Sequence, residues 1–258
     1  MFSVIFPGQG SQSVGMGKNF YDNFDTVKSL FKKADEALDI PLSKIILEGP
    51  KDQLDLTTNT QPAIFLISYS IFQVMRQEFN IELEKAKFFA GHSLGEYSAI
   101  ACAGYLSFED TIKILKIRGD AMQNSVPKGD GGMTAVLGEK IENIEKILRE
   151  NKNNFFVEIA NDNSDGQIVL SGKTHDLEKL GLLLKQNKIK NIRLPVSAPF
   201  HCSLMSKATD IMRKELSKLR FTKGTNSLIS NITANEIFNA DELKDLLVKQ
   251  IENRVRWR

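Results

Sequence analysis

Cysteine and histidine are scarce in this chain, which has two cysteines and three histidines among 258 residues. Cys102 and Cys202 do not form a spacing that is typical of a metal site or of a disulfide framework. We therefore expect no bound metal, and we expect two small buried thiols in a reducing, cytoplasmic compartment.

A strong charge of one sign and a long apolar run are also missing. The formal net charge of +2 is too small to indicate nucleic-acid binding by itself. The longest apolar stretch, residues 63–72, is about half of the roughly 18 residues that a membrane span needs, and serines interrupt it. The N-terminus has no basic region and soon reaches Pro7-Gly8, which is not typical of a signal peptide. We expect neither a membrane nor a nucleic acid as partner.

The pattern of strands and helices predicts an α/β fold. An apolar fraction of 41% and a charged fraction of 26% are typical of a globular protein. Strands alternate with helices along the first half of the chain, which favours a core with a largely parallel sheet. The predicted strands are 3–6 and 87–90, and the predicted helices are 20–38, 61–80 with Pro62 near its first position, 94–103 and 107–123.

The order of elements changes after the glycine-rich segment 127–132. The following pattern predicts β-α-β-β-α-β, which is the ferredoxin-like arrangement. Its elements are strand 133–137, helix 141–150, strands 155–159 and 167–170, helix 176–186 and strand 189–194. Two more helices, 205–219 and 241–251, follow it. We expect a discontinuous core of residues 1–127 and 196–258, with residues 128–195 inserted as a small subdomain.

The segment Gly91-His92-Ser93-Leu94-Gly95 fits the pattern G-x-S-x-G. That pattern places a serine on a sharp turn between a strand and a helix, with its hydroxyl exposed and the first helical amides beside it. A Gly-Ser-Gly combination can also be only a turn. Because an apolar strand precedes it and a helix of small residues follows, we interpret Ser93 as a nucleophile.

A serine nucleophile needs a base, and the three histidines differ as candidates. His92 adjoins the serine and points elsewhere, whereas His175 opens a lysine-rich helix and is expected to be solvated. His201 lies in an apolar return loop, where the alternative role is that of a satisfied core histidine. Elimination favours His201, and the order serine before histidine agrees with α/β-hydrolases. No carboxylate is evident to orient it, so a backbone or side-chain carbonyl is the alternative.

Arg118 lies on the apolar face of the helix 107–123. A buried charge needs a partner, so an internal salt bridge or a stem that snorkels to the edge explains it equally well. The helix directly follows the elbow helix, however, and a guanidinium in the same pocket would bind a carboxylate at two points. That alternative indicates an acyl group with a free acid.

The loop Gly8-Gln9-Gly10 after the first strand can place a backbone N–H opposite that of Leu94. Two such amides would form an oxyanion hole. A dinucleotide-binding interpretation is weak, because the glycines do not give G-x-G-x-x-G.

Taken together, these motifs resemble malonyl-CoA:acyl carrier protein transacylases over nearly the whole chain. The segments that carry the resemblance are Pro7-Gly8-Gln9-Gly10-Ser11-Gln12, Gly91-His92-Ser93-Leu94-Gly95-Glu96, Arg118 and Phe200-His201. The resemblance implies an α/β-hydrolase-like core with an inserted ferredoxin-like subdomain. It also implies transfer of malonyl from malonyl-CoA to holo acyl carrier protein through an ester on the serine, for fatty acid biosynthesis.

The resemblance assigns a role to each matching residue. Ser93 would be the nucleophile and His201 the base. Gln9 and Leu94 would supply the oxyanion amides, and Arg118 would bind the malonyl carboxylate. In the same way, Gln250 matches the glutamine whose carbonyl orients the histidine, and Phe200 matches a residue that selects malonyl over branched acyl groups. No resident cofactor or metal is implied, since the substrates carry the phosphopantetheine, and we expect a monomer.

The chain departs from the family pattern near its end. Members usually have proline before Val-Arg-Trp, where this chain has Arg254. Members also continue beyond the position of Arg258 with a strand and a helix, so we expect an exposed sheet edge. Two other functions stay open, namely a serine esterase or thioesterase and a non-catalytic domain that docks acyl carrier protein.

Overall fold

A computed structural model describes residues 1–196, 198–237 and 239–258. Its residues fall into two compact units. The first unit comprises residues 1–120, 214–230 and 235–244, and the second comprises residues 121–213, 231–234 and 245–258.

The described residues form strands and helices in an alternating order that is typical of a mixed α/β fold. The strands are β1 (Val4–Phe6), β2 (Phe88–Gly91), β3 (Gly131–Leu137), β4 (Val157–Ser164), β5 (Gln167–Lys173), β6 (Lys190–Arg193), β7 (Ser227–Ile229), β8 (Glu236–Ile237) and β9 (Val255–Arg256). The helices are α1 (Lys18–Asn23), α2 (Asp25–Leu38), α3 (Leu42–Glu48), α4 (Lys51–Leu54), α5 (Thr57–Gln77), α6 (Leu94–Cys102), α7 (Phe108–Gln123), α8 (Ile141–Glu150), α9 (Thr174–Gln186), α10 (Ser206–Ser217) and α11 (Ala240–Gln250).

The sheet of the first unit has the order β1-β2-β7-β8. The first three strands are parallel and β8 is antiparallel to β7. Rings of Phe6, Phe72 and Phe89 pack together beside it, with centroids 5.8 to 6.3 Å apart. Because β1 and β2 run in the same direction, the loops after them meet at one edge of the sheet, where α/β proteins place their ligands.

Strand β1 is at the edge of the sheet as described. Its Ile5 side chain is 67% exposed. An apolar cavity of about 510 Å³ lies between β1 and α5, lined among others by Phe2, Ile64 and Ile71. None of the predicted site residues lines this cavity.

The second unit contains the predicted β-α-β-β-α-β order as β3-α8-β4-β5-α9-β6. Its sheet has the order β6-β3-β5-β4-β9, and the first four strands are antiparallel to their neighbours. The short β9 pairs with β4 in parallel. Residues from the sheet and both helices form one apolar cluster, which includes Val136, Ile144, Leu170, Leu177 and Leu184.

Most predicted elements lie within a few residues of their observed bounds, but three predictions were wrong in their details. The predicted helix 20–38 is divided into α1 and α2, because Phe24 between them is extended. Helix α5 begins at Thr57 and not at Gln61, so Pro62 lies inside its second turn. The amides of Asn59 and Thr60 bond to the carbonyl of Leu56, which starts the helix before the proline is reached. The polar segment 161–164 lies outside the predicted strands 155–159 and 167–170, yet it belongs to β4, because register shifts let these residues pair with β5.

The two compact units do not coincide with the predicted division of the chain. Residues 196–213 and 245–258 group with the β-α-β-β-α-β elements, whereas residues 128–195 were predicted to stand alone. The pairing of β9 with β4 is one physical reason, since it ties the last residues to the second sheet. Within the described residues, no helix combines the length and apolarity that crossing a membrane requires.

Candidate active site

Ser93 lies at the sharp turn between β2 and α6, as its motif predicts. It is the residue immediately before the helix and has φ 54° and ψ −109°. Positive φ is uncommon for a residue with a side chain and costs of order 1–3 kcal/mol, so the surrounding structure must hold it. This geometry is that of a nucleophile elbow.

Two glycines around Ser93 permit the close packing that holds the turn. A Cβ on Gly91 would lie 1.9 Å from the carbonyl oxygen of Gly95. A Cβ on Gly95 would lie 2.6 Å from the carbonyl oxygens of both Phe6 and Pro7. The amide of His92 also donates to the Phe6 carbonyl at 3.1 Å, which ties the elbow to the end of β1. A side chain at Gly91 would therefore disrupt the turn itself, and a side chain at Gly95 would separate the elbow from the first strand.

Arg118 reaches the Ser93 side chain directly. Its side chain is 1% exposed, and its Nη2 donates to the Ser93 Oγ at 3.1 Å. Its Nη1 donates to the Gln61 Oε1 at 2.7 Å. The prediction that Arg118 lies on a buried helix face is therefore confirmed. Its guanidinium lies beside the hydroxyl that would carry an acyl group. Such a group can bind a carboxylate at two points.

Burial lowers the pKa of Arg118, while the neighbouring Tyr97 and Glu96 act in the opposite direction. The guanidinium also lies over the Tyr97 ring, 5.5 Å from its centroid. Burial raises the pKa of Tyr97, which keeps its hydroxyl protonated. Since arginine stays charged in proteins, the hydroxyl of Ser93 lies against a fixed positive charge in a site of low dielectric constant.

The two predicted oxyanion residues follow the two paired strands β1 and β2. Gln9 follows β1, and its side-chain amide donates to the Thr57 Oγ1 at 3.4 Å. Leu94 is the first residue of α6 and is 1% exposed. Positive charge at a helix N-terminus favours a developing anion there. These residues, together with Ser93 and Arg118, belong to the first unit.

His201, Phe200 and Gln250 belong to the second unit. The Nδ1 of His201 lies 2.7 Å from the backbone carbonyl oxygen of Gln250, and both residues are buried. A carbonyl only accepts, so Nδ1 must carry the proton, and in the neutral ring Nε2 is then the basic nitrogen. The alternative that a carbonyl orients His201 therefore has a matching group in the structure. That group is the main-chain carbonyl of Gln250. Phe200 is 7% exposed, and its carbonyl accepts from the Ser171 hydroxyl at 2.5 Å.

The remaining candidates for chemistry lie elsewhere or are inert. His175 is exposed in the first turn of α9, as expected. Burial raises the pKa of the Cys202 thiol to about 12 and that of Cys102 well above its usual range. Both thiols therefore stay protonated near neutral pH. A cysteine nucleophile has to be a thiolate, so neither cysteine is suited to that role.

Sequence reasoning missed two residues of the first unit that contact Arg118, namely Gln61 and Tyr97. Gln61 was interpreted only as the start of a helix, and Tyr97 as one residue of an apolar helix. A buried arginine needs an acceptor, but no spacing rule connects positions 57 residues apart in the chain.

Comparison with known proteins gives one consistent result. The family described as the acyl transferase domain matches residues 3–256. The malonyl CoA-acyl carrier protein transacylase of Salmonella typhimurium is 38% identical over 99% of this chain and 82% of its own length. The enzyme of the same name from Bacillus subtilis (strain 168) is also 38% identical, over 99% of this chain and 80% of its own length.

Solved structures agree with the sequence relatives. An acyl-carrier-protein-S-malonyltransferase from Bartonella henselae is 41% identical and superposes with a TM-score of 0.96, covering 100% of this chain and 82% of that one. A malonyl-transacylase in complex with a type II PKS acyl-carrier protein is 35% identical, with a TM-score of 0.94 over 99% of this chain and 82% of that one.

The contact between α6 and the end of β1 generates the first testable prediction. In Gly95→Ala the added methyl group meets two carbonyl oxygens, and overpacking of this kind costs about 1–3 kcal/mol. The cost of overpacking is larger than the gain in helix propensity from glycine to alanine, which is at most about 1 kcal/mol. We expect a lower free energy of unfolding in urea and slower reaction of Ser93 with phenylmethylsulfonyl fluoride.

Ser98→Ala on the same helix is the matched control. The Ser98 hydroxyl is buried and has no hydrogen-bond partner among the described residues, so its removal should be nearly neutral. Equal stability and equal serine reactivity in Gly95→Ala and the wild type would show that the close contact does not hold the elbow.

Proposed function

Because the chain belongs to the malonyl-CoA:acyl carrier protein transacylases of the acyl transferase family, we propose that Ser93 carries malonyl between two thiols. The chain is an acyltransferase. It takes the malonyl group from malonyl-CoA and delivers it to the phosphopantetheine thiol of holo acyl carrier protein, which supplies malonyl units for fatty acid biosynthesis.

The observation that carries this proposal is the hydrogen bond from Arg118 to the Ser93 hydroxyl. An ester on Ser93 Oγ would hold its acyl chain beside the guanidinium. A malonyl group has a carboxylate two carbons from the ester carbonyl carbon, whereas an acetyl group has none. A buried cation beside the nucleophile therefore favours a dicarboxylic acyl group over a neutral one.

In the first step, the Ser93 oxygen attacks the thioester carbon while its proton passes to His201. The carbon–oxygen bond forms, the carbon–sulfur bond breaks, and the CoA sulfur takes the proton from the imidazolium. In the second step, the carrier thiol gives its proton to His201 and attacks the ester. The serine oxygen leaves and regains the proton. The Gln250 carbonyl supports this assignment, since it leaves Nε2 of the neutral ring unprotonated.

The oxyanion in each step would be bound by the backbone amides of Gln9 and Leu94. Their support is the parallel pairing of β1 with β2, which brings the two loops to one sheet edge. Donors of this kind typically contribute about 10²–10³ in rate each. We also propose that Phe200, before the base, limits the room for a branched acyl group.

We make further proposals about the architecture, the oligomeric state, the cofactors and the location of the protein. The order β6-β3-β5-β4 with antiparallel neighbours supports a ferredoxin-like subdomain, and the parallel sheet supports a hydrolase-like core. The boundaries 128–195 stay a prediction. We propose a monomer without resident cofactor or metal, since one chain carries all seven site residues and the substrates bring the phosphopantetheine. A cytoplasmic location fits a reaction that needs a free carrier thiol.

Ser93→Ala tests the nucleophile. The wild type mixed with malonyl-CoA should gain the mass of one malonyl group, and holo acyl carrier protein should then remove that mass and acquire it. The variant should gain no mass, because no hydroxyl is present to form the ester. Intact-protein mass spectrometry follows both steps. A malonyl adduct on Ser93→Ala would contradict the assignment, and loss of the wild-type ester to water alone would indicate an esterase.

His201→Ala tests the base. Loss of a positioned general base typically slows the chemical step by about 10²–10⁴. Quenched-flow measurement of malonyl-enzyme formation should show this loss. His175→Ala, which changes an exposed histidine in α9, should keep the wild-type rate. A near-normal acylation rate in His201→Ala would exclude it as the base.

Arg118→Ala tests selectivity. A charge-assisted hydrogen bond contributes roughly 1.5–3 kcal/mol, so kcat/KM for malonyl-CoA should fall by about 10- to 100-fold. The value for acetyl-CoA should change much less, because acetyl has no carboxylate to bind. Steady-state rates with both thioesters measure the ratio. An equal fall for both substrates would contradict a role in carboxylate binding.

A further inference from the structure

Gln61 is a buried side chain that accepts a hydrogen bond from Arg118. It lies in the second turn of α5, is 1% exposed, and its Oε1 accepts from Arg118 Nη1 at 2.7 Å. The other terminal nitrogen of the same guanidinium donates to Ser93 Oγ at 3.1 Å. Because a guanidinium is planar, fixing one of its terminal nitrogens restricts the position of the other.

The N-terminal part of α5 is itself firmly placed against the site. Thr57, one turn before Gln61, is 1% exposed and accepts from the side chain of Gln9. Gly119, next to Arg118, packs so closely that a Cβ there would lie 2.6 Å from the Thr57 carbonyl oxygen. The same turn of α5 therefore contacts the oxyanion loop and the backbone that carries Arg118. It provides a rigid reference for both.

The chemical character of Gln61 matters as much as its position. Its amide oxygen is a neutral acceptor, so it orients the guanidinium without adding a negative charge. Glu96 already acts on Arg118 electrostatically. A second carboxylate, hydrogen-bonded directly to Nη1, would compete with an acyl carboxylate for the same cation.

We infer that Gln61 is a positioning residue that sets selectivity for acyl groups with a free carboxylate, because its neutral amide aims Arg118 at the Ser93 ester and leaves the cation available to the substrate. This inference rests on the proposed function. It predicts that the charge of residue 61, and not only its packing, determines the preference between malonyl and acetyl groups.

Gln61→Glu changes the charge with almost no change of shape. We expect kcat/KM for malonyl-CoA to fall by about 10- to 100-fold, mainly through a higher KM, since a charge-assisted pair replaces a neutral one. The value for acetyl-CoA should stay within about threefold of the wild type, as should the reaction of Ser93 with neutral phenylmethylsulfonyl fluoride. Gln61→Met, which removes the acceptor and adds no charge, should lower malonyl transfer with the same sparing of acetyl transfer.

Gln73→Glu is the matched control, because Gln73 is a second buried glutamine on α5 that contacts Gln77. It should leave the malonyl-to-acetyl ratio unchanged. If Gln61→Glu does not fold, as judged by circular dichroism, Gln61→Met still tests whether loss of the Gln61 acceptor lowers the malonyl-to-acetyl ratio.

Two outcomes would overturn the inference while wild-type malonyl capture remains normal. One is a parallel loss for both thioesters in the Gln61 variants, which indicates a structural role. The other is an unchanged malonyl-to-acetyl ratio. Failure of the wild type to form a malonyl ester would instead overturn the proposed function, and this inference with it.

Discussion

The close contact between the elbow and the end of β1 is the constraint on which the first unit's chemistry depends. Gly95 lies against the carbonyls of Phe6 and Pro7, and Gly91 lies against Gly95. These contacts hold Ser93 at a positive φ that a free chain would avoid. The parallel pairing of β1 with β2 places the Leu94 amide and the Gln9 loop at one edge of the sheet. The Ser93 hydroxyl thus owes its position to backbone packing.

A second consequence of this packing is electrostatic. Helix α6 and helix α5 leave Arg118 almost without contact to water, so each of its hydrogen bonds is stronger than it would be at the surface. Two of its hydrogen-bond partners, Gln61 and Ser93, are neutral groups that direct the guanidinium. In the second unit, a main-chain carbonyl has the corresponding task for His201. A main-chain acceptor orients the ring without a buried carboxylate.

Local patterns predicted much of the fold because local rules determine those parts. The Ser107 hydroxyl accepts a hydrogen bond from the Asp110 amide at the start of α7. A serine three residues before an acidic residue is a typical helix start. The order β-α-β-β-α-β follows from periodicity and turn residues. The start of α5 and the polar end of β4 were missed, since contacts with distant residues outweigh the local preferences of Pro62 and of the segment 161–164.

The sequence by itself determined the G-x-S-x-G motif, the place of Arg118 on an apolar helix face and the family, because each depends on residue types at short or fixed spacing. Only the tertiary structure decided that Gln61 contacts Arg118. These two residues are 57 positions apart in the chain, and such a pair forms when whole elements pack. The resemblance had already indicated the Gln250 carbonyl as the group that orients His201, and the structure decides that this carbonyl belongs to the main chain. For this reason the elbow could be found by inspection, whereas the contact between Gln61 and Arg118 could not.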